Sequence, residues 1–263
     1  MNILFLSELF YPHGGGAELA TYLYAKLLSE LDFNIKVFTN RFVNETGKSK
    51  IGKLEILRLP LFNNAATLKF SMLRNFNLLF SGFFRRLICW ADVVYIPLYW
   101  YSAIPIAKAY GKPVIIHLHN YILSCPLGTL YNMSERKVCS DQNPFLCPPN
   151  CIVAHEKASG RKTGEVMVSA LLNSMSIHYI RNLVMLSDAI VCVSEAQRRL
   201  IVRGCGKPFR EKLHVIYNPL PDIPYINMNG DDFGYFGGPS CTKGFQTFYR
   251  AVKTINQYRH KAV

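Results

Sequence analysis

The chain has 263 residues, half of them hydrophobic and 18% charged, which excludes a disordered or low-complexity polymer and supports a packed core. Thirty basic against seventeen acidic residues leave a formal charge of +13, which favours phosphate-bearing ligands or an anionic membrane face. No apolar run nears the roughly 20 residues that span a bilayer. The first residues lack the layout of a signal peptide, with Glu8 breaking the run, so a cytoplasmic setting with reduced thiols is expected.

In chain order, β-branched and aromatic runs predict strands at 2–7, 34–39, 54–59, 92–96, 113–119, 189–194 and 213–218. Helical segments are predicted between them at 16–31, 67–90, 102–110, 164–186 and 194–204. Most of the strands are apolar on both faces, as in a parallel sheet covered by helices on each side. The expected fold is therefore α/β, a Rossmann-like doubly wound parallel sheet. After Asn218 the run "PLPDIPYINMNGDD" reads as a linker, and a strand at 233–238 and a helix at 243–258 follow. One βα unit cannot bury a core of its own, so the expected division is a domain over 1–222 and an incomplete second unit over 223–263.

The stretch "YPHGGGAEL" places Gly14, Gly15 and Gly16 between the first strand and the first helix. A glycine turn at a helix N-terminus turns unpaired N–H groups and the positive end of the helix dipole toward one point, where an anion can bind. A plain tight turn is the alternative. The pattern Gly14-x-Gly16-x-x-Leu19 lacks the third glycine of a dinucleotide fingerprint, and "FTNR" ends the second strand without an acid for a ribose, which disfavours NAD.

"YPHGGGAELATYLYAKLL" resembles the N-terminal signature of glycosyltransferase family 4, retaining enzymes of the GT-B fold, in which two Rossmann-like domains face a cleft. "VIIHLHNYILSCPLGTL", "SDAIVCVSEAQRRL", "KLHVIYNPLP" and "FGYFGGPSCTKGFQTFYRAV" continue the resemblance in the same order. The likeness implies amides of Gly15 and Gly16 near a donor diphosphate with Glu18 behind them, and His119 as the active-site histidine. It implies Ser194 and Glu195 at a second strand-to-helix turn, where capping is their plain structural role, and Lys243 offering its ammonium to the donor phosphates. His119 read without the family is equally a packed core histidine. Two departures stand out: Gly238 occupies a position where the family usually has Arg, and Asn120 follows the histidine where Asp is more frequent. The family's donor-site glutamate pair, spaced by seven residues, is expected beyond residue 263.

Cys125, Cys139, Cys147 and Cys151 are spaced C-x13-C-x7-C-x3-C in a polar insertion over 125–151. Four thiols in such a loop suggest a structural zinc ion, with His155 able to replace one ligand. An iron–sulfur cluster and free thiols are the alternatives. Some relatives of the family carry a similar insertion.

Residues 56–91 hold no acid, and Phe70, Leu73, Phe76, Phe80, Phe83 and Leu87 lie on one apolar face beside Lys69, Arg74, Arg85 and Arg86. That face suits either an anionic membrane surface or the protein core. No recognised nucleic-acid motif accompanies the charge. Two functions follow. One is hexosyl transfer from a nucleotide-sugar to a hydroxyl of a glycan or lipid-linked acceptor, with no catalytic metal. The other is a non-catalytic acceptor- or membrane-binding module whose donor domain comes from a separate chain.

Overall fold

The computed structural model describes residues 1–62, 76–139, 149–158, 162–224, 233–238 and 243–259. Its centre is an eight-stranded sheet built from β1 (Asn2–Leu6), β2 (Asn34–Asn40), β3 (Lys48–Ile51), β4 (Leu54–Leu59), β5 (Val93–Ile96), β6 (Val114–Leu118), β9 (Ala189–Cys192) and β10 (Leu213–Val215). The order across the sheet is β10-β9-β6-β5-β1-β2-β4-β3, and every pair is parallel except β3 with β4. The short ribbon β7 (Tyr131–Asn132) and β8 (Lys137–Val138) stands apart.

The chain winds outward from β1 to β2 and β4, then returns to lay β5 on the other side of β1. This is the expected doubly wound sheet, and its topological switch point lies between β1 and β5, where open α/β sheets bind ligands. Alternation in β1 explains the two cores. Ile3 and Phe5 join Ile35, Val37 and Ile56 on the face covered by α1 (Gly16–Glu30). Leu4 and Leu6 join Phe38, Ile88, Val94, Ile116 and Trp100 on the opposite face. Phe84 and Trp100 stack there at 5.8 Å between ring centroids. Each fully buried large side chain of this kind contributes roughly 1.5–3 kcal/mol.

β3, "KSKI", is an edge strand that the sequence pattern does not reveal. It is short and polar, and its lysines face solvent, which also discourages pairing with another chain.

The helix expected over 67–90 is two pieces within the described residues, α2 (Phe76–Leu79) and α3 (Gly82–Trp90). Ser81 interrupts it, its hydroxyl accepting from the Phe84 amide at 3.1 Å as the N-cap of α3. Lys69, Phe70, Leu73 and Arg74 lie outside the described residues. α3 turns Phe84, Leu87 and Ile88 into the core and leaves Arg85 and Arg86 in solvent. Its apolar face is therefore a core face, and the break leaves Phe80 exposed. Among the described residues no helix is long and apolar enough to cross a membrane.

A short 3-10 turn, Trp100–Ala103, leads into α4 (Ile104–Ala109), with Pro105 in its first turn, where a missing N–H costs little. α5 (Pro149–Ala158) packs along α6 (Thr163–Met185), and α7 (Glu195–Cys205) and α8 (Lys207–Arg210) follow β9. α6 leaves Met167, Val168, Leu171 and Met175 in solvent.

Residues 233–238 do not form the expected strand. A strand requires a partner for its backbone hydrogen bonds, and none pairs with this run among the described residues. Its Tyr235 packs instead on Phe245 and Phe248 of α9 (Phe245–Arg259).

Candidate active site

The carboxyl ends of β1, β5, β6 and β9 carry most of the chemistry. After β1 the chain makes the glycine turn, and Gly14 adopts φ +106°, a conformation that L side chains rarely adopt. A Cβ at Gly14 would lie 2.4 Å from Cγ of Glu18. Glu18 is buried against this turn, and its Oε2 accepts from the Gly15 amide at 2.7 Å. The third helical residue thus caps the turn from behind. Gly15 therefore differs from the expectation: its N–H is taken by an internal carboxylate. Gly16 has nothing within 4 Å of where a Cβ would be, so the open side of the turn is there.

A Gly14→Ala substitution is expected to cost about 1–3 kcal/mol, since it combines a strained φ with expulsion of Glu18. Gly16→Ala should stay within about 0.5 kcal/mol of the parent. Urea unfolding of the two variants side by side checks this, and equal losses would contradict it.

Glu8 sits at the switch point itself. It is fully buried, and its Oε2 accepts from the Tyr99 amide at 3.0 Å, tying the end of β1 to the loop after β5. Its Oε1 is buried without a hydrogen-bond partner. Burial raises its carboxyl to about 8, with the charge of Glu18 adding to the rise and the Tyr99 amide opposing it. Glu8 is thus a neutral acid at pH 7. The Tyr99 hydroxyl accepts from Asn120 Nδ2 at 3.2 Å, and the Asn120 carbonyl accepts from Gln197 Nε2 at 3.1 Å. This chain of bonds links the ends of β1, β5, β6 and β9. Glu8 registers in the sequence only as an acid that stops an apolar strand, a signal without a partner attached.

His119 stands immediately past β6, as expected, and the period of two puts His117 on the same face. The two rings stack at 4.3 Å, and the Tyr95 hydroxyl bonds Nδ1 of His117. Tyr24 of α1 meets His117 edge-on at 5.1 Å. Burial pulls His119 down to about 4; burial and the neighbouring His119 pull His117 down to about 3. Both imidazoles are neutral at physiological pH, and Nε2 of each is buried without a hydrogen-bond partner among the described residues. A neutral imidazole in this position can hydrogen-bond a substrate hydroxyl in either direction, according to its tautomer. His117 escaped the sequence reading because an isolated strand histidine looks like core; the i, i+2 pair was the available signal.

The remaining expected residues divide. Ser194 is the N-cap of α7, accepting from the Gln197 amide at 3.1 Å. Glu195 faces solvent beside Arg198 at 3.4 Å. Both perform the capping and first-turn roles that their positions dictate. Lys243 is exposed, and its carbonyl accepts from Tyr235 at 2.9 Å.

Of the four insertion cysteines, Cys147 lies outside the described residues. Cys125 and Cys151 are buried in an apolar cluster with Leu127, Leu130 and Ile152. The Cys151 sulfur accepts from the Met133 amide at 3.3 Å, while Cys139 is only half-buried. His155 Nδ1 is 3.5 Å from Glu156 Oε1, which also accepts from Asn173 Nδ2. Among the described residues no three metal-ligating side chains converge, so the zinc expectation has no support in this geometry. Cys125 and Cys151 pack as small apolar groups.

These features coincide with a match to the family model of Glycosyltransferase Family 4 over residues 14–222. The chain belongs to Glycosyltransferase Family 4. This Family 4 sheet is similar to that of UGT2 of Phytolacca americana complexed with UDP-2-fluoro-glucose and pterostilbene: 10% identity, TM-score 0.50, covering 85% of this chain and 55% of that one. HepE of Anabaena in complex with UDP and glucose is 15% identical, with TM-score 0.44 and coverage of 83% and 44%. Sucrose-phosphate synthase of Thermosynechococcus elongatus is 12% identical, with TM-score 0.46 and coverage of 82% and 47%. The Family 4 chain spans about half the length of these proteins. No curated protein matches it.

Proposed function

We propose that the chain is the acceptor-side part of a glycosyltransferase that moves a hexosyl group from a nucleotide-sugar to a hydroxyl acceptor. Membership of Family 4 supports the reaction class, and the UDP-sugar analogue held by the Phytolacca protein supports the donor class. The observation that carries the reading is His119: a neutral imidazole with an unpaired, buried Nε2 at the carboxyl end of β6. Its role is to hold a hydroxyl of the transferred sugar while the diphosphate departs. The open side of the turn at Gly16, with the helix dipole behind it, is suited to the developing negative charge.

The finer parts of the reading are retention of anomeric configuration, a glycan or glycolipid product and a cytoplasmic setting. Residues 1–222 form the acceptor-side domain in this reading, and 223–263 open the donor-binding part. Supply of the donor phosphate contacts by a separate polypeptide is the second reading, since Lys243 is exposed in this chain. Any contact with an anionic membrane belongs to the exposed apolar side of α6, since α3 has its apolar face in the core.

The test is to incubate the purified chain with a panel of nucleotide-sugars and follow nucleoside diphosphate release, with NMR of the product's anomeric proton. Release with the donor's configuration kept is the expected result. A chain that neither binds nor cleaves any member of the panel overturns the enzymatic reading.

A further inference from the structure

We propose that an open cavity past the carboxyl ends of β2 and β4 is an acceptor site for a molecule carrying a phosphate or carboxylate beside an apolar or ring-shaped body. The proposal rests on the transferase reading for the word acceptor, but the binding chemistry stands on the cavity alone. The cavity has a volume of about 340 Å³ and is lined by Arg41, Phe42, Asn44, Glu45, Pro60 and Phe62, among others. That volume falls in the range of small-molecule sites.

The charges in this cavity decide the sign of its ligand. Glu45 is fully engaged: Oε1 takes His13 Nε2 at 3.1 Å and Arg58 Nε at 3.3 Å, and Oε2 accepts from the Phe42 amide at 2.8 Å. Arg58 is itself buried, so this pair is internal. Arg41, in contrast, lines the cavity with a guanidinium that makes no hydrogen bond or ion pair among the described residues. The charge left for a ligand is therefore positive, in the planar form that grips phosphate and carboxylate by two parallel bonds.

The walls are built before any ligand arrives. Asn40, buried at the end of β2, accepts from the amides of Leu61 and Phe62 at 2.7 and 3.0 Å and donates to the Phe62 carbonyl at 3.0 Å. That clamp fixes the Phe62 wall. Phe42 stands edge-on to Phe62 with ring centroids 6.1 Å apart, and the His13 ring packs on Phe42 at 4.3 Å. Phe42, backed by the buried Phe62, provides the apolar surface for a sugar face or an alkyl chain. His13 immediately precedes Gly14, so an acceptor here lies beside the turn at which the donor diphosphate is proposed to sit.

Isothermal titration of the full chain tests the site, using hexyl phosphate, galactose 6-phosphate, inorganic phosphate and uncharged methyl galactoside. At least one of the two substituted phosphates is expected to bind tenfold or more tightly than inorganic phosphate or methyl galactoside. Arg41→Gln should weaken that binding at least tenfold and Arg41→Lys should restore part of it, with circular dichroism confirming that both variants fold. Tighter hexyl phosphate indicates a lipid-phosphate acceptor, and tighter galactose 6-phosphate a phosphorylated sugar. No binding of either compound, equal affinity for inorganic phosphate, or an unchanged Arg41→Gln variant would overturn the proposal. UDP is titrated in parallel. Loss of UDP binding in Arg41→Gln would assign Arg41 to the donor and also overturn it. Failure of UDP to bind the parent chain would count against the donor reading and leave the anion result standing.

Discussion

Replacing Glu8 with glutamine is expected to abolish a loss of stability that the parent chain suffers between about pH 6.5 and 8. In the unfolded chain this carboxyl ionises near its ordinary 4.5, while in the fold burial keeps it protonated to about 8. Between those values the folded state binds one more proton than the unfolded state. Stability attributable to Glu8 is thus complete below pH 4.5 and falls as pH rises, by about 1.4 kcal/mol per pH unit, ending above pH 8. His117 and His119 act in the opposite sense. Held neutral down to about 3 and 4 against an ordinary 6.5, they contribute stability that is complete above pH 6.5 and is lost as pH falls through that window. The three groups together place the maximum near pH 6.5. Glutamine keeps the shape and can still accept from the Tyr99 amide, so the alkaline decline should disappear while the acid limb remains. Urea unfolding at pH 5, 6.5 and 8 measures this, and parallel curves for parent and variant would refute it.

His119→Ala is expected to lower the transfer rate by about 10² to 10³, the ordinary worth of one preorganised hydrogen-bonding group at a reacting centre. The fold should tolerate it, because His119 lies just past the end of β6 and is half-buried. Two further signs separate a role in catalysis from a role in packing. The parent's rate should show no histidine inflection near pH 6.5, because His119 stays neutral to about 4. The variant should also lose part of the acid limb of stability, since one buried imidazole no longer has to be charged on unfolding. An inflection near 6.5, or a variant that keeps the parent's rate, would remove His119 from the mechanism.

Much of this architecture was legible before any coordinates. The strands at Asn2–Leu6, Asn34–Asn40 and Val114–Leu118 are apolar on alternating faces that both require cover, and that pattern admits little besides a parallel sheet between helices. The three glycines announced a turn that side chains could not make, and His119 stood where its strand had to end. Ser194 could be read as a cap because capping is local: the residue and the amide it serves are three positions apart.

What escaped the sequence was long-range or relational. β3 exists because β4 offers it an edge, and 233–238 fails as a strand for want of one. Glu18 was expected behind a free amide, yet its carboxylate takes the Gly15 amide, which leaves Gly16 as the open side. The arginines at 85 and 86 looked like one flank of a membrane-facing helix until Ser81 cut the helix and the core claimed its apolar side.

Local chemistry in the chain was enough to settle most strands of the sheet, the Ser194 cap, the place of the glycine turn and the family. Tertiary packing alone decided that Glu8 meets Tyr99 across 91 positions and that the rings of His117 and His119 stack with both Nε2 atoms buried. It also decided that the Arg41 guanidinium is left without a partner among the described residues while Arg58 takes Glu45. The reason is physical: a backbone conformation depends on neighbours a few residues away, whereas the charge state of a side chain depends on how much water and which partners the folded whole leaves around it.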